Sequence, residues 1–316
     1  IQEKQIPSFM KASVLLLFAL ILGASTHFSN LYSTYEYTKQ TIRGKSELTT
    51  QKTENQTTGL DKDYATAWSY GISESFTLLI PNYKGGASSQ IGENKSALKD
   101  VPSQYKQGVS SMDAYFGEQP FTSGPIYVGA IICFLFVLSL FVLEGWFKWS
   151  MVFAFALSLM LAWGKHFMSL TDLFLDYVPL YNKFRAVASI LVNVELIMPL
   201  MAMLALSKVL SNDQERQKYW KPLLYSFAIT AGFCLITFVL PDLFSSVEKT
   251  DELEKTVQQY VQYGAGKEEE VRPYLAQLLP YVEEARKAMV SSDALRSFFF
   301  ILIAFIGLFL WTKKTI

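Results

Sequence analysis

Apolar and polar positions fall along this chain in long blocks. Six blocks are nearly free of charge: Ser13–Phe28, Pro125–Leu143, Ser150–Gly164, Ala186–Leu206, Pro222–Leu240 and Ser297–Trp311. Crossing a bilayer takes about 20 apolar residues at helical rise. The pattern therefore predicts about six transmembrane helices, with the shorter blocks drawing on flanking residues. The expected fold class is an all-α membrane protein with outer-side loops, an interfacial helix and a soluble helical hairpin. Residues 1–28 are expected to form the first transmembrane helix, and 29–124 an extracytoplasmic loop domain. Residues 125–240 form a four-helix transmembrane region with an outer interfacial segment at 165–185. Residues 241–296 form an extracytoplasmic hairpin, and 297–316 the last transmembrane helix and a cytoplasmic tail.

Charge sets the expected orientation, because positive residues near span ends mark the cytoplasmic side. Ser207–Lys221 carries four bases against two acids, and the tail has Lys313 and Lys314. Asp242–Arg296 carries seven bases against eleven acids. Six crossings then place both termini, the Glu144–Trp149 turn and the Ser207–Lys221 loop in the cytoplasm of a bacterial inner membrane. Ser29–Gly124, Lys165–Arg185 and Asp242–Arg296 lie outside. The first block resembles a signal peptide, with Lys4 and Lys11 before it and the small residues Ala24-Ser25-Thr26 near its end. Five further blocks follow, so it reads as a true helix in a fragment or processed piece of something longer.

Composition narrows the class. Of 316 residues, 51% are hydrophobic and 15% aromatic, which fits an integral membrane protein with sizeable polar parts. The 28 basic and 28 acidic side chains cancel, so no electrostatic footprint for nucleic acid exists. Cys133 and Cys234 sit inside apolar blocks and read as small hydrophobes. With only His27 and His166, a multi-histidine zinc site is excluded. Any metal would be a hard divalent cation such as Mg or Mn on carboxylates, with its ligands unknown.

The polar blocks hold the candidate chemistry. Trp68–Gly86 is aromatic, rich in hydroxyls and punctuated by glycine, and is too short in its apolar middle to span. It is expected at the membrane surface, with Pro81 and Gly85-Gly86 ending any regular element. Its notable acid is Glu74, which equally reads as a plain helix-end carboxylate. Tyr115–Pro125 packs two prolines and two glycines into a tight path, either a re-entry turn or a substrate-contacting loop. In Lys165–Arg185, Leu170, Leu173, Phe174 and Tyr177 recur at helical spacing and predict an interfacial helix ended by Pro179. Asp172 and Asp176 share its other face. Lys165, His166, Lys183 and Arg185 either meet an anionic headgroup or phosphate, or snorkel and pair with the two aspartates.

Two further features complete the reading. Glu195 is expected near the middle of the fourth span beside Asn193, as a functional acid or a neutral one bonded to a neighbour. In the hairpin, Leu253, Val257, Tyr260 and Val261 mark one face. Val271, Leu275, Leu278, Val282 and Met289 mark another, with Gly264-Ala265-Gly266 as hinge. Glu268–Glu270 suit the start of the second helix, and a docking role without chemistry is expected there. Asn55-Gln56-Thr57 and Asn94-Lys95-Ser96 match the glycosylation triplet.

Three motifs carry a resemblance. Glu74-Ser75-Phe76-Thr77-Leu78-Leu79-Ile80-Pro81-Asn82 within Trp68–Gly86, Gln119-Pro120-Phe121-Thr122-Ser123-Gly124-Pro125, and Tyr177-Val178-Pro179-Leu180-Tyr181-Asn182-Lys183-Phe184-Arg185 resemble, in order, the loops of YfhO-like bacterial membrane proteins, nearest in wording to the Bacteroidetes branch. The resemblance implies a polytopic protein related to GT-C type glycosyltransferases, which transfer a sugar from a polyprenyl-phosphate carrier at the outer face. The family's catalytic acid lies in a first outer loop that this chain lacks, and the family has more than six spans. The chain then corresponds to a middle and later part.

On that basis Arg185 is the first expected phosphate ligand, because guanidinium binds phosphate bidentately. Lys183, Lys165 and His166 are secondary. Glu74, Asp172 and Asp176 are the expected catalytic acids, orienting a metal or taking a proton from an acceptor hydroxyl. The partners implied are the bilayer, the polyprenyl-phosphate-linked sugar, and an envelope glycan or protein acceptor. The alternatives are a non-enzymatic transporter or assembly factor for envelope polymers, using Glu195 and Asn193, and a scaffold docking a partner through the hairpin.

Overall fold

The computed structural model describes residues 6–44, 57, 59–211, 216–243, 247, 251–264 and 266–313. Most of the expected Lys45–Gly59 loop, Asn55 and Gln56 of the first glycosylation triplet, Ala265 and Lys314 lie outside the described residues. Within them the regular structure is helical, apart from one isolated bridge between Gln90 and Asp113. The α-helices are α1 Ile6–Ser25, α2 Phe28–Thr38, α3 Lys62–Ala65, α4 Ser103–Ser111, α5 Ala130–Val142 and α6 Trp146–Ala162. They continue as α7 Met168–Tyr177, α8 Val192–Ser211, α9 Trp220–Val239, α10 Glu252–Gln262 and α11 Glu268–Lys313. Short 3-10 turns join them.

Among the described residues, four helices are long and apolar enough to cross a membrane: α1, α8 with the turn before it, α9 and α11. A fifth arises if α6 and the Gly164–Tyr177 segment count as one span, but they are bent by 113° where they meet. The apolar helices fit a bilayer and a multi-pass protein, with four or five spans where the hydropathy pattern predicts six. With the bent pair counted as one span, the shortfall sits at the second block. Only Ala130–Val142 is helical there, about 20 Å at 1.5 Å per residue. Pro125 lacks an amide hydrogen, and Gly129 takes φ +110, a region open to glycine. Helix therefore begins only at Ala130.

The chain divides into two compact units. The first comprises residues 1–65 and 172–185. Every side chain of α1 is exposed, as an isolated apolar helix must be when its solvent is lipid. A small core joins Leu60, Ala65 and Leu175, with Tyr181 packed on it. The Leu60 amide donates to the Asn182 carbonyl at 2.9 Å. The Asn182 side chain in turn donates to the Leu175 carbonyl at 3.2 Å.

The second unit comprises residues 66–171 and 186–316. Phe134 and Leu138 of α5, Ala202 of α8, Leu223 and Cys234 of α9, and Ala294 and Ile301 of α11 share one core. Lipid is as apolar as leucine, so close approach rather than water exclusion joins such helices. Small residues at the contacts allow it: Ala202, Ala205, Ser139 and Ser226 are completely buried. Ser226 and Thr230 satisfy their hydroxyls on carbonyls one turn back, both at 2.8 Å.

A second core lies around the hairpin, where Leu275, Leu278 and Val282 of α11 meet Val257 of α10, Val109 of α4 and Ile91. Burying each such side chain away from water contributes about 1.5–3 kcal/mol. No joint separates this hairpin from the last apolar block, because α11 is one helix of 46 residues. Its length is about 69 Å, over twice the hydrocarbon thickness of about 30 Å. Arg286 is fully buried between the two hairpin helices. It donates to both carboxylate oxygens of Glu252 at 2.7 Å and to the Asp113 carbonyl at 2.8 Å.

Candidate functional site

The aromatic loop of the second unit is built around a buried carboxylate. Ser69 fastens its start: its hydroxyl donates to the Thr66 carbonyl at 2.6 Å and accepts from the Lys165 amide at 2.8 Å. The Tyr70 amide donates to the Ala162 carbonyl at 2.8 Å, at the end of α6. A 3-10 turn over Ser73–Leu78 then places Glu74 inside. Pro81 opens a second 3-10 turn over Pro81–Lys84, which Gly85 ends at φ +83.

Glu74 is 2% exposed. One carboxylate oxygen, Oε2, accepts from the Gly71 amide at 2.6 Å. The other accepts from the Tyr115 hydroxyl in a short contact and from the Glu118 amide at 3.3 Å. The Tyr115 hydroxyl accepts in its turn from the Gln119 amide at 3.0 Å. The carboxylate thus ties the second motif, at Tyr115–Gln119, to the first. Glycine at position 117 leaves this pairing room, since a Cβ there would overlap Glu74 Oε1 and the Tyr115 hydroxyl and force one of them to shift.

A cavity of about 60 Å³ lies beside these groups, lined in part by Tyr70, Glu74, Thr77, Lys84, Tyr115 and Gln119. It has room for water or a single hydroxyl group, and for no sugar ring. Burial raises the Tyr115 phenol well above its ordinary range, and the Glu74 carboxylate beside it raises it further. Burial raises the Tyr70 phenol too, and the Thr77 hydroxyl it bonds opposes this. Both stay protonated donors. Lys84 is 6% exposed. Burial draws its ammonium below the usual lysine value, while Glu74 and Glu118 push back. Its Nζ lies 5.1 Å from the centre of the Phe116 ring, a favourable cation–π distance.

Lys165 and His166 stand in the same unit. Lys165 is exposed. The His166 imidazole is held below its usual value, first by burial and also by Lys165, against the pull of Glu118 and Glu74. Its Nε2 is buried with no hydrogen-bond partner among the described residues.

The other expected site residues, Asp172, Asp176, Lys183 and Arg185, belong to the first unit. Their pairing differs from the sequence reading. Asp172 binds Lys62 at 2.6 Å, and that bond raises the lysine's pKa. Lys183 Nζ donates to the Arg43 carbonyl at 2.6 Å, and the Arg43 Nε donates back to the Lys183 carbonyl at 2.9 Å. Arg185 is exposed, donates to the Tyr64 hydroxyl at 2.9 Å and lies 5.1 Å over that ring. Asp176 is exposed. Glu74 is in one unit and the two aspartates in the other. Among the described residues no three acidic, His or Cys side chains gather as a metal would require.

Glu195 lies in the interior of the Val187–Ser211 apolar segment, in the first turn of α8 and on the exposed surface of the helix. Asn193, likewise exposed, reaches Ser158 at 3.4 Å.

The sequence reading missed Tyr115 and Lys84 as partners of Glu74, and the Glu252–Arg286 pair. Arg286 had a signal: it falls on the apolar stripe of its helix, between Val282 and Met289. Tyr115 had none, being 41 residues from Glu74. No family model, curated protein or solved structure matches the chain, and what the site can do follows from its own residues.

Proposed function

We propose that this chain is part of a polytopic, glycosyltransferase-like membrane protein. It uses a polyprenyl-phosphate-linked sugar at the outer face of the inner membrane and passes the sugar to an envelope glycan or protein. The observation that carries this reading is the buried Glu74–Tyr115–Lys84 group. A fully buried carboxylate and a nearly buried ammonium, both in the motifs that resemble YfhO-like loops, are kept at a cost in desolvation, and such groups concentrate at functional sites.

Roles follow from the bonding. Glu74 has three donors on it, so it holds the two loops together and acts as a positioning residue. Asp176, exposed, is the carboxylate best placed to accept a proton from an acceptor hydroxyl. Arg185 meets the carrier phosphate, its guanidinium plane steadied on Tyr64. Lys183 adds positive charge. Glu195 on an exposed helix face suits a polar transport path less well, which favours transfer over transport.

The test is transfer from a polyprenyl-phosphate sugar by membranes holding the intact protein. Arg185→Ala should lower transfer about 100-fold, as loss of a charge-assisted phosphate contact does, with Arg185→Lys restoring part of it. Glu195→Ala should leave transfer unchanged. Full transfer in Arg185→Ala, with loss only in Glu195→Ala, overturns the proposal in favour of transport.

A further inference from the structure

A second, larger hollow lies in the same unit as the Glu74 cavity and is unlike it. It is an open groove of about 490 Å³, within the range of ligand sites. Asn82, Ser89, Gln90, Glu93, Asn94 and Lys95 supply its polar wall. The one acid and one base cancel, so the groove does not select an anion. What dominates is amide and hydroxyl. Each amide side chain presents an acceptor and a two-hydrogen donor in one plane, which suits neighbouring hydroxyls on one molecule. The thioether of Met289, from α11, gives the groove an apolar patch, as the C–H face of a sugar ring needs.

The wall is held from behind. The Asn82 amide hydrogen donates to Asp293 Oδ2 at 3.1 Å, and its side chain also bonds that carboxylate. Asp293 is itself paired with Arg296 at 3.0 Å. A Cβ at Gly86 would overlap Asn82 Oδ1, so glycine keeps that oxygen clear. Asn94 Oδ1 accepts from the Ser96 hydroxyl at 2.6 Å, which holds its amide in place. A first layer fixed by a second is what a binding site requires and a surface dent lacks.

We propose that this groove binds a neutral, hydroxyl-rich glycan, and so is the place where an acceptor chain rests. The choice of ligand rests on the proposed function; the site itself does not. The test uses the full chain in detergent micelles without any lipid-phosphate donor. Maltotriose and chitotriose are the probes, and saturation-transfer NMR and calorimetry the readouts. At least one sugar should bind, and Gln90→Ala with Asn94→Ala should weaken it by about tenfold through lost amide hydrogen bonds. Glu93→Gln with Lys95→Gln should change it less than about twofold, because neither charge is needed. Should the double amide variant misfold, Ala87→Trp fills the groove and must abolish binding. Absence of binding to both sugars, undiminished binding in these variants, or binding of a trialanine peptide in their place overturns the inference. Arg185→Ala should leave sugar binding intact. Undiminished transfer in Arg185→Ala, with sugar binding intact, would sink the enzyme reading and not the groove.

Discussion

Two regions of the second unit bury charge, and they do so differently. In the hairpin, Arg286 meets Glu252 through two parallel bonds, and a backbone carbonyl takes a further hydrogen. In the aromatic loop, Glu74 is held by two amides and a phenol, while Lys84 lies against the face of Phe116. The Arg286 guanidinium lies 5.5 Å from the same ring. The hairpin neutralises its charge with an opposite charge in bidentate geometry, which fixes one arrangement of two helices. The loop holds its carboxylate with neutral dipoles, and a small cavity remains beside it. Such a site can exchange a proton or a water without parting two helices. The first pattern locks two helices together, and the second ties two loops while leaving a small cavity beside the carboxylate.

The hairpin pair gives the largest expected effect. Glu252→Ala strands a buried guanidinium and should destabilise the hairpin by about 3–5 kcal/mol, whereas Glu252→Leu with Arg286→Met should cost far less. Hydrogen exchange of α10 measures both, and a cost below about 1 kcal/mol for the single change would break the comparison. Next comes Gly117→Ala, which forces Glu74 and Tyr115 apart and should cost about 1–3 kcal/mol. Thermal unfolding in detergent reads this, with the hairpin core unaffected.

The smallest effect concerns the loop phenols. Burial pushes Tyr83 up to about 12, and raises Tyr70 and Tyr115 too. A folded-state value above the unfolded one gives stability that is complete below about pH 10 and lost as pH climbs past it. Lys84 acts in the opposite sense, its lowered value adding stability as pH rises toward 10.5. The Tyr83 hydroxyl is buried without a hydrogen-bond partner among the described residues. Tyr83→Phe should therefore stabilise the loop by about 1 kcal/mol and flatten its alkaline loss, both visible in unfolding midpoints between pH 8 and 11.

Much of the helical plan is legible in hydropathy, because an apolar run of span length has few other fates. The blocks around Ala186–Leu206 and Pro222–Leu240 became α8 and α9, and the 3.6-residue spacing of Leu170, Leu173 and Phe174 became part of α7. The shortened α5 escaped, since Pro125 and Gly129 act on the backbone while hydropathy sees only side chains. Glu74 stood out as an acid in an aromatic loop, but its burial depends on Tyr115 and Glu118, and no local pattern couples positions more than 40 residues apart. For the same reason Asp172 was matched with nearby bases when Lys62, 110 residues away, holds it.

The unbroken course of α11 has a mechanical corollary. Its only prolines, Pro273 and Pro280, both lie in the hairpin part, so from Ala285 onward no weakened hydrogen bond offers a hinge. Whatever pulls on the hairpin must tilt the membrane-buried shaft by the same angle. The helix is a lever, and a load at the groove beside Met289 is felt at Lys313.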